Sequence, residues 1–234
     1  MPEPVRVEAG ADRAVTAMIY RAAGPARSDL GLILGHGAGA GQTSSFMVRF
    51  ATELAARGID AVTFNFSYME QRRRLPDPRP VLEACYRKVI ATVRQHGVGH
   101  GGLAIGGKSM GGRIASHVAA AAPEVVALVL LGYPLHPPGA PHKLRASHLA
   151  DIRVPMLFVQ GSRDAFGTPE ELRPIIATLQ APCELHVVEG GDHSFKVPKR
   201  ADVGQDEIYR AILDRIARWL RATVGADSAC SGEV

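Results

Sequence analysis

The chain has 234 residues, of which 46% are hydrophobic and 21% are charged, and its formal net charge is +4. This composition is typical of a folded protein of about one domain, and it excludes a low-complexity or strongly charged disordered chain. The arginines are scattered rather than gathered in one long stripe, so the mild positive charge does not indicate a nucleic-acid partner.

The cysteines and the first residues indicate in which cellular compartment the protein is expected. Cys85, Cys183 and Cys230 are odd in number and widely spaced, which predicts free thiols in a reducing compartment. Residues 1–6 contain no apolar signal segment, and no apolar run of the chain is long enough to span a bilayer. We therefore expect a cytoplasmic protein without a membrane partner, and the sequence indicates no particular oligomeric state.

Hydrophobic periodicity predicts strands that alternate with helices along the chain. The first two strands form an antiparallel hairpin with a polar turn at 10–13, whereas the later strands are short and apolar and most are separated by helices. In chain order, the predicted elements are strands 5–8, 14–20 and 31–34, helix 44–57, strand 61–66, helix 81–95, strand 103–105, a helical run at 114–121, strands 125–131 and 154–160, helix 169–179, strand 184–188 and helix 205–222.

This alternation predicts a mostly parallel central sheet that is covered by helices on both faces, a three-layer α/β/α fold. We expect a single domain over residues 1–222, followed by a frayed tail at 223–234. Ligands of such sheets bind beyond the carboxyl ends of the strands. Four candidates each follow a predicted strand: the glycine-rich loop at 36–41, Ser109, Asp164 and His193. We therefore expect them to form one site at that edge.

The stretch 101–113 carries the strongest motif. A short apolar run leads into a cluster of glycines with Ser109 at its centre, and Gly107, Ser109 and Gly111 match G-x-S-x-G, the nucleophile elbow. A serine on so sharp a turn is held in a strained conformation with its hydroxyl above the sheet edge. The flanking glycines lack side chains, which lets strand and helix approach closely.

The same stretch also matches G-x-x-x-x-G-K-[ST], the phosphate-binding P-loop, over 102–109. A P-loop requires its strand before the first glycine. Residues 97–101 are mostly glycine, and the only strand-like residues lie inside the supposed loop. The elbow is therefore the favoured interpretation, and the P-loop and a plain glycine-rich turn are the alternatives.

A serine nucleophile needs a base to take its proton and an acid to orient that base. On an elbow fold the chain order is Ser, then Asp or Glu, then His. His193 lies after the last strand and is the candidate base. Asp164, just past the end of a buried strand, is the favoured acid. Asp151 precedes that strand, and Asp192 would have to fold back on its neighbour's ring.

An oxyanion needs two backbone donors. We predict the N–H of Met110, just after the serine, and the N–H of Ala38 in the loop 36–39. That loop also matches G-x-G-x-x-A, a weak dinucleotide signature, at 35–40. A dinucleotide fold requires an acid at the end of the next strand, and none is found there.

We expect neither a metal nor a cofactor. His136, His142 and His148 share a proline-rich segment, and their six-residue steps do not fit a compact zinc motif.

Four further residues are predicted to contact a substrate. Gly39 belongs to the glycine-rich loop, and Tyr133 follows strand 125–131. Arg73 and Arg74 lie in a proline-broken basic loop on the same side of the sheet, where they would attract anionic substrates. The alternative for the arginines is an ordinary solvated loop.

The segment between strands 125–131 and 154–160 is rich in proline, which fixes the backbone and removes hydrogen-bond donors. It favours a loop with at most one short helix near 144–150. We therefore expect no large lid over the site.

On these residues the chain resembles the α/β-hydrolase fold over essentially its whole length. Segments 106–113, 133–139 and 191–195 look like those of small, lidless hydrolases related to dienelactone hydrolases, specifically the bacterial relatives of testis-expressed hydrolase-like proteins. Dienelactone hydrolases proper use a cysteine nucleophile, whereas this sequence has Ser109. The resemblance implies the fold and the triad rather than a particular substrate.

The sequence thus predicts a serine hydrolase that cleaves a carboxylic ester or related small acyl substrate through an acyl-enzyme intermediate, with a Ser-His-Asp triad. The alternative is a non-catalytic α/β-hydrolase-like binding or scaffold domain. The triad order favours the enzyme, because a scaffold has no need of the three residues together.

Overall fold

A computed structural model of the chain describes residues 1–10, 13–25, 27–198 and 203–229. Its strands are β1 (Glu3–Gly10), β2 (Arg13–Tyr20), β3 (Leu30–Gly35), β4 (Asp60–Phe64), β5 (Gly102–Lys108), β6 (Val125–Leu131), β7 (Met156–Gly161) and β8 (Cys183–Val188). Its helices are α1 (Ser45–Ala56), α2 (Ser67–Glu70), α3 (Arg79–Gln95), α4 (Met110–Ala119), α5 (Pro169–Ile176) and α6 (Gln205–Ala229), with a short 3₁₀ helix at Ser147–Asp151.

The eight strands form one sheet in the order β1-β2-β4-β3-β5-β6-β7-β8. The hairpin of β1 and β2 is antiparallel, as predicted, and β2 is also antiparallel to β4. Every other neighbouring pair is parallel. The predicted turn at 10–13 includes residues 11 and 12, which lie outside the described residues.

Strand β3 illustrates why the sheet is buried on both faces. Its central residues Leu32, Ile33 and Leu34 are fully buried, and successive side chains of a strand point to opposite faces. Ile33 packs in the core that α3 and α4 complete, whereas Leu32 and Leu34 pack in the core that α1 and α6 complete. The predicted three-layer α/β/α fold is confirmed.

The register of the parallel strands brings their carboxyl ends to one edge. Gly35 at the end of β3 is opposite Gly107, and Lys108 at the end of β5 is opposite Leu131. Gly161 at the end of β7 is opposite Val188. The loops that follow these strands are therefore neighbours, and the glycine-rich loop, Ser109, Asp164 and His193 are all close to this edge.

Two helices differ from the prediction. The four-residue α2 was not expected, because one turn is too short to show a helical period. The closing helix α6 continues to Ala229, past the predicted end at Ala222, so the start of the predicted frayed tail is helical. Residues 230–234 lie outside the described residues.

The segment between β6 and β7 carries no large lid. Its only helical element is the 3₁₀ helix Ser147–Asp151, close to the short helix predicted at 144–150. The edge of the sheet that carries the candidate site is therefore left open on this side. Among the described residues, no helix combines the length and the apolarity that crossing a bilayer requires.

Candidate active site

Ser109 occupies the tight turn between β5 and α4. Its φ of 51° and ψ of −114° are strained values for a residue with a side chain. A Cβ on Gly107 would lie 2.3 Å from Gly35 O, and a Cβ on Gly111 would lie 2.1 Å from the same oxygen. The glycines are thus required by the close approach of strand and helix. The P-loop alternative is excluded, because the residues of the supposed loop form β5 itself.

His193 lies beside this serine. Its Nε2 is 2.8 Å from Ser109 Oγ. The loop after β8 that carries the histidine is fixed by Asp192, whose Oδ1 accepts hydrogen bonds from the amides of Ser194 and Lys196 at 2.7 and 2.9 Å. The His193 ring also stacks on Phe166, with 4.2 Å between ring centroids.

Asp164 contacts the other nitrogen of the same ring. His193 Nδ1 is 2.9 Å from Oδ1 and 2.8 Å from Oδ2 of this carboxylate, which is 1% exposed. Two further donors hold it: the amide of Phe166 to Oδ1 and Nε2 of Gln160 to Oδ2, both at 2.8 Å. These partners assign the ring proton to Nδ1 and leave Nε2 as an acceptor for the serine hydroxyl.

The two other aspartates are placed differently. Asp192 is exposed, and its carboxylate is used by the amides of its own loop. Asp151 is exposed in the 3₁₀ helix that precedes β7, at the opposite end of that strand. Of the three aspartates considered from the sequence, the structure brings Asp164 to the histidine.

The predicted oxyanion donors lie on either side of Ser109. Met110 is the first residue of α4, so its N–H has no acceptor within the helix. Ala38 lies in the loop after β3 and lines the same cavity as Ser109. Its carbonyl accepts a hydrogen bond from the buried hydroxyl of Tyr68 at 3.0 Å, which fixes the peptide plane next to the predicted donor.

His36 also holds the glycine-rich loop in place through hydrogen bonds of its ring. Its ring is fully buried, with Nδ1 2.8 Å from Gly37 O, and its Nε2 accepts a hydrogen bond from the amide of Phe66 at 3.1 Å. Burial lowers the pKa of His36, so the ring stays neutral and its proton lies on Nδ1. The glycine-rich loop is therefore held by both His36 and Tyr68.

Lys108, the residue before Ser109, reaches towards the histidine. Its Nζ donates a hydrogen bond to the main-chain oxygen of His193 at 2.5 Å and lies 5.4 Å from the centroid of the Phe195 ring. Burial lowers the pKa of Lys108 to about 8. The ammonium thus joins the strand that carries the serine to the loop that carries the base.

These groups border a cavity of about 840 Å³, within the range of small-molecule sites. Gly39 lines it, in agreement with its predicted position, and nothing lies within 4 Å of a Cβ built on this glycine. Arg73 and Arg74 are exposed and do not line the cavity; Arg73 instead pairs with Asp77 at 2.5 Å. Their contact with a substrate stays a prediction.

The structure places the Tyr133 side chain in the core and not at the cavity. Its side chain is fully buried and does not line the cavity, because it points into the core against Phe158. Its hydroxyl donates to the main-chain oxygen of Arg145 at 2.6 Å. The Tyr133 hydroxyl therefore fixes the loop after β6, and contact of this residue with a substrate stays a prediction.

A family model described as "Alpha/beta hydrolase domain" matches residues 28–221. The chain belongs to this alpha/beta hydrolase family. The match includes the glycine-rich loop, the elbow, Asp164 and His193, and it leaves out only the start of the chain, with β1 and β2, and the end of α6.

Solved structures support the same fold at low sequence identity. A serine hydrolase homologue from Coxiella burnetii is 20% identical, with a TM-score of 0.73 over 93% of this chain and 97% of that one. A dienelactone hydrolase from Anabaena variabilis is 17% identical, with a TM-score of 0.71 over 95% and 98% of the chains. A serine hydrolase without lid from Xanthomonas campestris is 19% identical, with a TM-score of 0.67 over 96% and 94%. The resemblance to lidless, dienelactone-hydrolase-like folds is confirmed.

Three residues that position the site of this hydrolase domain were not predicted from the sequence. Gln160 is the one polar residue of the otherwise apolar strand β7, and a buried polar side chain requires a partner, so it could have been noticed. Lys108 is a partly buried cation directly before the elbow serine. Tyr68 lies in the unexpected α2, and no sequence signal marks it.

Proposed function

We propose that the protein is a serine hydrolase that cleaves a carboxylic ester or a related small acyl compound through an acyl-enzyme intermediate on Ser109. The observation that carries this proposal is the continuous hydrogen-bonded chain from Ser109 Oγ through His193 to Asp164. Such a chain is what a serine hydroxyl needs in order to lose its proton as it attacks.

In the acylation step, Ser109 Oγ attacks the carbonyl carbon of the substrate and His193 Nε2 takes the hydroxyl proton. The buried Asp164 carboxylate stabilises the imidazolium that forms. The N–H groups of Met110 and Ala38 are proposed to donate to the oxyanion of the tetrahedral intermediate. Collapse of the intermediate breaks the bond to the leaving group, which receives the proton from His193.

In the deacylation step, His193 accepts a proton from a water molecule, and the resulting nucleophile attacks the acyl carbon. The second tetrahedral intermediate has its oxyanion in the same place. When it collapses, the acid is released and Ser109 regains its proton from His193. Every proton transfer in this cycle uses the same nitrogen, Nε2.

A fluorophosphonate probe tests the proposal directly, because it forms a covalent bond with an activated serine. We expect the wild type to be labelled and Ser109→Ala to be unlabelled, with kcat for a short ester lowered by roughly 10³–10⁶. Ser44→Ala is a matched control, since Ser44 lines the same cavity without a histidine partner. Labelling that survives in Ser109→Ala would reject Ser109 as the nucleophile.

A further inference from the structure

The cavity beside Ser109 is lined by an excess of positive charge. Among the described residues that line it, the one carboxylate is Asp77, whose Oδ1 accepts a hydrogen bond from Arg73. His193 is the histidine of this lining. The cationic side chains that line it are Arg49, Arg79, Lys108, Arg113, Arg145 and Lys196.

Most of these cations have a partner or a place in solvent. Arg49 pairs with Glu53 at 3.1 Å and with Asp206 at 2.5 Å. Lys108 donates to a main-chain oxygen, as described above, and Lys196 is exposed. Arg49 is therefore compensated by carboxylates, Lys196 is accessible to solvent, and the Lys108 ammonium is held by a main-chain acceptor.

Arg113 and Arg145 differ from the rest. Both are partly buried, and within the described part of the chain neither guanidinium forms a salt bridge or donates a hydrogen bond. Burial lowers the pKa of Arg113, and the nearby charge of Arg145 lowers it further. Two cations that repel each other thus line the cavity without a counter-ion among the described residues, an arrangement that costs free energy until an anion binds.

The backbone holds both arginines in place. Arg113 lies one turn into α4, where its N–H donates to Ser109 O at 3.0 Å, so it is fixed relative to the candidate nucleophile. Arg145 N donates to Leu135 O at 2.8 Å, and Arg145 O accepts the Tyr133 hydroxyl. Arg79, at the start of α3, lines the same cavity and is exposed, with Glu83 3.3 Å away.

The charges of Arg79 and Arg113 also act on two nearby histidines, His117 and His148. His117 and His148 stack with 3.5 Å between ring centroids. The pKa of His148 is lowered to about 4, chiefly by burial, with smaller contributions from the nearby charges of His117, Arg113 and Arg79. The histidines stay neutral at pH 7, so they add no charge that would compete with the arginines.

We propose that Arg113 and Arg145, with Arg79 at the rim, form a subsite that binds a carboxylate or phosphate on the end of the substrate remote from the scissile bond. Guanidinium groups match both oxyanions with paired, charge-assisted hydrogen bonds. The inference rests on the proposed function: it specifies an acyl compound with an anionic tail as the substrate class.

The kinetic test compares two esters of the same shape. One is the p-nitrophenyl monoester of adipic acid, and the other is p-nitrophenyl 6-methylheptanoate, in which an isopropyl group replaces the carboxylate. We expect kcat/KM of the wild type to favour the charged ester roughly tenfold or more. Arg113→Met and Arg145→Met should each remove most of this preference and leave kcat/KM for the neutral ester within a few fold.

Arg153→Met is the matched control, because it removes one positive charge from an exposed residue ahead of β7, at the opposite end of the sheet. It should leave both esters unaffected. If the wild type shows no preference for the charged ester, or if both cavity variants keep that preference while they still hydrolyse the neutral ester, the subsite is rejected and the proposed hydrolase stands.

A binding measurement makes the inference testable without catalysis. Adipate and inorganic phosphate are titrated separately into Ser109→Ala by calorimetry, with and without the Arg113→Met change. Binding of adipate alone assigns a carboxylate, binding of phosphate alone assigns a phosphate, and in either case the second change should weaken it tenfold or more. No binding of either anion overturns the subsite. Failure of fluorophosphonate labelling in the wild type would instead overturn the hydrolase proposal.

Discussion

The side-chain amide of Gln160 donates a hydrogen bond to Asp164 Oδ2 at 2.8 Å, the same oxygen that lies 2.8 Å from His193 Nδ1. Gln160 is fully buried, and its Oε1 accepts a hydrogen bond from the amide of Tyr133 at 2.9 Å. Its Nε2 also donates to Gly167 O at 2.7 Å. The Gln160 side chain therefore forms hydrogen bonds with the loop after β6, the loop after β7 and the carboxylate of the candidate acid.

Replacing Gln160 by Leu should affect both stability and rate. The change leaves buried polar groups of Tyr133 and Gly167 without a partner, which costs about 1–3 kcal/mol of unfolding free energy for each group. The carboxylate of Asp164 also loses a donor, and kcat should fall roughly 10- to 100-fold because the base is less well oriented. Urea denaturation and steady-state kinetics measure the two effects.

Gln160→Glu is the informative companion. It keeps an acceptor for the amide of Tyr133 but sets a second carboxylate against Asp164, so we expect an activity loss at least as large as with Leu. If Gln160→Leu lowers stability while kcat is unchanged, Gln160 is a packing residue with no part in orienting Asp164.

The choice of Asp164 over Asp192 gives a second prediction. Asp164→Asn should lower kcat on the order of 10⁴-fold, because an amide favours the wrong tautomer of His193. Asp192→Asn should have a much smaller effect, since its carboxylate is exposed and serves only amides of its own loop. Steady-state kinetics of the two variants on a short ester measures this. The reverse order of effects would show that the acid is assigned incorrectly.

Lys108 gives a prediction about pH. Its pKa is lowered by burial from 10.5 to about 8 in the folded protein, so between these values the unfolded chain binds more protons than the folded one. The free energy of unfolding contributed by this group therefore rises with pH across that window. Relative to Lys108→Met, the wild type should become more stable on going from pH 7 to pH 9.5, as measured by urea denaturation.

Lys88→Met controls for general effects of losing a lysine, because Lys88 is exposed on α3. Its stability difference from the wild type should be the same at both pH values. A Lys108→Met difference that is equally insensitive to pH would mean that the Lys108 ammonium keeps its ordinary affinity for protons in the fold.

The absence of a large lid between β6 and β7 gives a prediction about the length of the acyl chain in preferred ester substrates. Because this segment, which the structure describes in full, carries no large lid, we expect no closed form that a lipid surface would have to open. Hydrolysis of p-nitrophenyl acetate and butyrate should exceed that of the palmitate, with no jump in rate above the solubility limit of the substrate. A sharp rise on emulsified long-chain lipid would show that part of this chain does act as a lid.

The fold and the three central residues could be predicted because each depends on local pattern and chain order. Apolar strands between helices specify a parallel sheet, and parallel strands bring their following loops to one edge. Ser109 was marked by glycines whose absence of side chains the packing requires. Asp164 and His193 then followed from their positions just past β7 and β8.

What the sequence did not predict depends on where a side chain points. Tyr133 follows a strand at the correct edge, yet its ring turns into the core, and no periodicity extends into a proline-rich loop to indicate this. Arg113 is on α4 and Arg145 is in the loop after β6, so their common place in the cavity lining appears only in three dimensions. Local sequence holds no signal for such a pairing.

The start of α4 packs closely against Gly35 O at the end of β3. The conformation of Ser109 therefore depends on the folding of the central strands. The strained serine backbone is maintained only while β3, β5 and α4 are packed against each other, because an isolated turn would relax to an ordinary conformation. We therefore expect Ser109 to be unreactive in a partly unfolded form that has lost β3, even where α4 is intact. If Ser109 is the nucleophile, as proposed, we expect the fraction of molecules that react with a serine-directed probe to equal the fraction in which β3, β5 and α4 are folded together.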